Sequence, residues 1–285
     1  MRTYFDRRAF LSLGLVFYVV GRTTRAARAF DNLFEGANSS SKGRLETTRG
    51  VFTFQTDFEL SEIASEIASL DSLVDELTQT LRIPPPREKI LAQILPDEAS
   101  WREFFKKNFS ELAYRTAMFD RKNYLFDSRK SRLYTFRGST LGVDLRHEGT
   151  HALLASSLRR SVPIWLDEGL AEYFEETPKA RIQNDERKAK VVARLENGAF
   201  SSLELLESVS NISSATSAFY LDSWAWVNYL LNDSAKTRDV LSEYLNDLAR
   251  SRPFAPKVGA RLKKIGGGED SLRRFYRRGA SYERA

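Results

Sequence analysis

A chain of 285 residues, 42% hydrophobic and 12% aromatic, can bury a substantial core as one large or two small domains. Its formal net charge of +6 is unevenly placed: residues 1–29 carry +5 and residues 250–285 carry +8, which leaves −7 on 30–249. An acidic body argues against a nucleic-acid protein, the absence of cysteine excludes disulfides and thiolate metal sites, and no run reaches the roughly 20 apolar residues of a membrane span.

The N-terminus has the build of a targeting segment. Arg7-Arg8-Ala9-Phe10-Leu11 sets paired arginines before an apolar run from Phe10 to Val20, which suits a signal h-region better than a membrane helix. Ala27-Arg28-Ala29 puts small residues at the two cleavage-determining positions, so a cut before Phe30 is expected. Residues 1–29 resemble bacterial twin-arginine signals, which implies export to the periplasm, the cell envelope or the medium. Residues 30–50, rich in Ser, Gly, Asn and Thr, are expected to be a flexible linker.

A main domain is expected over 51–249, with an N-terminal lobe at 51–160 and a helical lobe at 161–249. Val51 to Phe58 alternates apolar and polar residues and predicts a strand. The spacing of Ile63, Ile67, Leu70, Leu73, Val74 and Leu77 predicts a helix from Ser61 to Leu81, stopped by Pro84-Pro85-Pro86. A strand from Lys89 to Leu95 follows, then a short helix from Glu98 to Phe109 whose aromatic residues suit core packing. From Tyr114 to Phe136, A-M-F-D-R, N-Y-L-F-D and R-L-Y-T-F predict two or three antiparallel strands.

The next segment carries the chemistry. His147-Glu148-Gly149-Thr150-His151 is an H-E-x-x-H pattern, and it holds both histidines of the chain. Positions i and i+4 of a helix share a face, so the two imidazoles can grip one zinc ion at roughly 2.0–2.1 Å each. Glu148 then stands beside the ion as a general base toward water. Gly149 costs such a helix about 1 kcal/mol relative to alanine, which makes sense if something packs closely there. A catalytic zinc needs a third protein ligand, and Glu168, early in a second helix opened by Pro163, is a candidate.

H-E-x-x-H followed after 16 residues by Trp165-Leu166-Asp167-Glu168-Gly169-Leu170-Ala171-Glu172-Tyr173 resembles the gluzincin metallopeptidases. Within that group it is most similar to small, largely uncharacterised bacterial peptidase-MA-like proteins. The resemblance implies that Glu168 completes the zinc site, with one zinc per chain. It also implies an α+β, zincin-like fold, in which an edge strand above the metal pairs with an extended substrate peptide. The strand ending in Thr135-Phe136 is the expected edge. Glu172, one turn beyond Glu168, is a candidate partner for a ligand histidine's second nitrogen, and Asp144 competes with it; either can equally be a solvated helix charge.

Beyond Pro178 the pattern is mostly helical: a charged surface helix from Ala180 to Leu195, a short one from Ser202 to Ser208, and an apolar one from Ser217 to Leu231. Tyr220 to Ala225 matches a Y-x-x-S-W/Y-A pattern of the resembled family, which implies that Tyr220 donates a hydrogen bond to a developing oxyanion. A core tyrosine is the competing explanation, and Tyr229 is the nearest rival. The basic tail, 250–285, can dock on the acidic body or meet anionic lipid or cell-wall polymer.

Together these features predict an exported zinc metallopeptidase acting on a peptide or protein, with no nucleic-acid partner. A catalytically inactive envelope scaffold and a zinc hydrolase of cell-wall amides are the alternatives.

Overall fold

Alternation in Phe52-Thr53-Phe54-Gln55-Thr56 turns Phe52, Phe54 and Thr56 inward, and that buried face anchors the N-terminal half of the protein. The computed structural model describes residues 45–110, 114–121, 131–212, 215–252 and 254–282; the expected export signal, residues 30–44 and the expected N-Y-L-F-D strand lie outside them. The fold is α+β, a mixed sheet followed by helices.

Five strands form the sheet in the order β1-β2-β3-β5-β4: β1 (Leu45–Arg49), β2 (Phe52–Thr56), β3 (Ile90–Leu95), β4 (Met118–Arg121) and β5 (Ser131–Phe136). The three inner strands, β2, β3 and β5, run parallel, while β1 and β4 pair antiparallel at the two ends. Helix α1 (Ala64–Leu81) makes the crossover from β2 to β3. It stops at Arg82, whose left-handed backbone (φ 53°) lets its N–H bond Thr78 O ahead of the three prolines. Helix α2 (Glu98–Asn108), capped by Asp97 accepting from the Ser100 N–H, covers the opposite face with Trp101 and Phe105 against Tyr134 and Phe136.

Two expectations are corrected here. Residues 45–49, expected within the linker, form the edge strand β1; all five are exposed, so main-chain pairing with β2 holds them and no apolar pattern marks them. The strand ending in Thr135-Phe136 is not an edge: β5 lies between β3 and β4, and β4 is the terminal strand.

Helix α3 (Leu141–Ser157) carries the H-E-x-x-H segment and packs between α1 and the β4–β5 side of the sheet. Gly149 is the point of closest approach, since a Cβ there would lie 2.7 Å from Leu70 Cδ1 of α1. Helix α4 (Ile164–Phe174) starts directly after Pro163, whose carbonyl accepts from Leu166 and Asp167. Its Gly169 packs so tightly on α8 (Ser217–Asn232) that a Cβ would lie 2.6 Å from Ser223 O. Between them run α5 (Pro178–Ile182), α6 (Asp185–Glu196) and α7 (Leu203–Ser208). The charged segment expected as one helix is thus two, broken at Asn184, which caps α6 through the Arg187 N–H.

Helix α9 (Ala235–Ala249) follows α8, with α10 (Val258–Lys264) and α11 (Glu269–Tyr282) after it. The tail docks: Val258, Leu262, Leu272 and Tyr276 are buried, and the Tyr276 hydroxyl donates to Ala225 O at 3.1 Å. One hydrophobic cluster extends from Phe52 to Tyr276, so the two expected lobes and the tail helices share a core. No helix among the described residues is long and apolar enough to cross a membrane.

The two helical glycines meet different obstacles. A Gly169→Ala methyl would meet Ser223 backbone, which cannot swing aside, and should destabilise by about 1–3 kcal/mol despite the helix-propensity gain. A Gly149→Ala methyl would meet the mobile end of Leu70, so its cost should be the smaller of the two. Urea denaturation of both variants checks the order, and equal losses would contradict it.

Candidate metal centre

Spacing on α3 sets one imidazole above the other. The His147 and His151 ring centroids are 5.1 Å apart, with His151 buried and His147 half-buried. Because α4 begins at Ile164, Glu168 falls early in it and points back at α3 from a buried position, 3% exposed. Its Oε2 lies 3.7 Å from Nε2 of His147 and 3.7 Å from Nε2 of His151. Three ligand atoms, two imidazole nitrogens and one carboxylate oxygen, thus converge within 4.8 Å of one another. Such a set fits a divalent cation that accepts nitrogen and oxygen donors.

The far sides of both rings meet carboxylates. Glu175 Oε2 is 3.0 Å from His147 Nδ1, and Asp167 Oδ2 is 3.1 Å from His151 Nδ1 but off the line of the ring N–H. Carboxylates in these places orient a ligand imidazole and make it a better donor. Burial works against a proton on His151, yet Asp167 and Glu168 outweigh it and push that ring up to about 9. Burial likewise opposes a proton on His147, and Glu168, Glu175 and Glu148 outweigh it, raising the ring well above its usual value. The pocket's field is therefore one that draws positive charge to the imidazoles.

Glu172 pairs with Arg187 of α6, and Asp144, in the first turn of α3, accepts from the Thr140 hydroxyl. A second cluster, His147 with Glu172 and Glu175, is also tight enough for a cation. There the positive charge comes from Arg187, whose Nη2 bonds both carboxylates.

Glu148 is half-buried and acts electrostatically on His147. Arg115, on the approach to β4, shares this field. Burial lowers its pKa, while Glu148, Tyr220 and Glu168 hold it up. Its backbone is fixed by Trp101 Nε1 donating to Arg115 O at 2.7 Å. Tyr220 lies in the first turn of α8, buried and edge-on to Phe219. Its rival Tyr229 is packed among Trp226 and Phe275, in the core near the tail. From the edge strand, Phe119 stacks on His151 with centroids 6.4 Å apart and planes 15° from parallel.

Asp167, Glu175, Arg115 and Arg187 were not singled out from the sequence. Glu175 carried a signal, because Glu168, Glu172 and Glu175 recur at i, i+4 and i+7 and so share one face of α4. Asp167 sits beside Glu168 without a pattern of its own, and the two arginines are single charges in charged surroundings.

A search of curated proteins finds no match. Over residues 143–255 the chain is similar to a family described as a protein of unknown function, DUF1570. That match takes in both histidines, Glu148, Glu168, Glu175, Arg187 and Tyr220, and leaves out the sheet.

Proposed function

We propose that this chain is a zinc metallohydrolase of the gluzincin type, with a zincin-like fold, acting on peptides after twin-arginine export. The observation that carries this reading is the position of Glu168 Oε2, 3.7 Å from each histidine Nε2. His147, His151 and Glu168 would hold one zinc per chain, which supplies a Lewis-acid charge that polarises a carbonyl and acidifies water.

The remaining steps belong to the protein's own side chains. Glu148 takes a proton from the attacking water and later delivers it to the leaving amine. Tyr220 donates its hydroxyl proton in a hydrogen bond to the oxyanion as the carbonyl becomes tetrahedral. Arg115, in the field of Glu148, Tyr220 and Glu168, would add positive charge to the same surroundings. Glu175 and Asp167 hold the imidazoles from behind. The end strand β4 offers main-chain groups for an extended peptide, and Phe119 of that strand walls the pocket beside His151.

Mass spectrometry of metal content tests the ligand set. The parent should carry one zinc per chain after loading, and His151→Ala and Glu168→Gln should each lose most of it; a parent without zinc would overturn the proposal. Glu148→Gln should keep the zinc while hydrolysis of a quenched-fluorescent peptide library falls by about 10²–10⁴-fold. Retained turnover in that variant would remove the general base from the account. Tyr220→Phe should lower kcat by about 10²-fold or more with KM little changed, and a change confined to KM would place Tyr220 in substrate binding instead.

A further inference from the structure

We infer that Arg187 is a positioning residue for the metal centre: through Glu175 it fixes His147, and it withholds Glu172 and Glu175 from the ion. The inference rests on the metal reading of His147, His151 and Glu168.

Arg187 is 5% exposed on α6, outside the H-E-x-x-H and W-L-D-E-G segments. Nη1 donates to Glu172 O at 2.9 Å, and Nη2 donates to the Glu172 carboxylate and to Glu175 Oε1 at 3.2 Å. The guanidinium carbon lies 4.9 Å from the centre of the Trp224 ring, so packing as well as charge fixes its plane. Glu175 uses its other oxygen, Oε2, on His147 Nδ1 at 3.0 Å. A single carboxylate therefore ties a rigid arginine fork to a ligand imidazole. With Nδ1 engaged, Nε2 is the nitrogen that faces Glu168.

The same contacts decide which carboxylate serves as the ligand. His147, Glu172 and Glu175 are close enough to hold a cation by themselves, so the face of α4 presents two overlapping donor sets built on one histidine. Arg187 places its charge on Glu172 and Glu175, leaving Glu168 as the acidic donor turned toward both Nε2 atoms.

Two neighbouring arginines have a different task. Arg146 donates to Phe174 O at 2.8 Å, to Ser69 O at 3.0 Å and to Glu76, while Arg181 donates to Glu176 O at 2.8 Å and to Glu76. They hold the C-terminal end of α4 against α1, where helix carbonyls favour cations. Arg181 is therefore the right control: its side chain is 11% exposed against 5% for Arg187, but its bonds go to Glu76 and a backbone carbonyl.

The test measures zinc affinity by chelator competition and the visible spectrum of the cobalt-substituted protein, using the full chain. Arg187→Gln should weaken zinc binding by about 10-fold or more and shift the cobalt bands, since the ligand geometry changes. Arg187→Lys, which restores charge without the fork, should recover only part of both. Arg181→Gln should lose thermal stability while keeping the parent's zinc affinity and cobalt spectrum. Glu175→Gln reads the same link from the other side and should by itself weaken zinc binding and shift the cobalt bands relative to the parent, even if the arginine variant does not fold. Parent-like affinity and spectrum in Arg187→Gln or Glu175→Gln would overturn the inference while leaving the metal site intact, as would an equal loss of affinity in Arg181→Gln. A parent that takes up no zinc would overturn both.

Discussion

Charge taken out of water must be compensated, and the centre of this protein is built around that requirement. Asp167, Glu168 and Glu175 stand against two imidazoles in a largely enclosed pocket. Without a cation the same carboxylates raise the proton affinity of both rings against the effect of burial. A divalent ion between the two Nε2 atoms and Glu168 would answer the same field with one charged centre instead of two protons. On the outer side the compensation comes from Arg187, Arg181 and Arg146, which face Glu172, Glu175 and Glu76.

That electrostatic arrangement depends on helices held in close register. Leu70 of α1 lies where any side chain on Gly149 would have to go, and Ser223 O does the same at Gly169. The first contact fixes the histidine helix and the second fixes the glutamate helix. Asp222, beside Ser223, is fully buried and takes both Nε and Nη2 of Arg194 at 2.7 and 2.8 Å, locking α8 to α6. Because α6 also carries Arg187, the packing of α8 and the back of the candidate metal centre are mechanically joined. The basic tail closes this side, with Tyr276 bonded to Ala225 O and Arg273 to Leu195 O at 2.7 Å.

Much of this was legible in the chain. The strongly periodic elements, such as the helix through Ile67, Leu70, Leu73 and Leu77, announce themselves because burial repeats with the backbone. The convergence of His147, His151 and Glu168 was legible because helical spacing fixes two of them and Pro163 fixes where the next helix starts. The order of strands was not legible: β5 becomes interior because it pairs in parallel with β3, a long-range choice that leaves no local mark. Strand β1 was hidden because main-chain bonds hold its exposed residues. Arg187 was hidden in a helix expected at the surface, yet Arg187, Val191 and Leu195 form a buried stripe at i, i+4 and i+8. Such a stripe is visible only if an arginine is allowed to face inward.

X-ray absorption at the zinc edge of the loaded protein tests the central claim most directly. The account predicts a shell of nitrogen and oxygen at about 2.0–2.1 Å, with the outer-shell scattering of two imidazoles and no sulfur. A zinc shell with one imidazole or none would contradict it, because His147, His151 and Glu168 would then not be the residues that hold the ion.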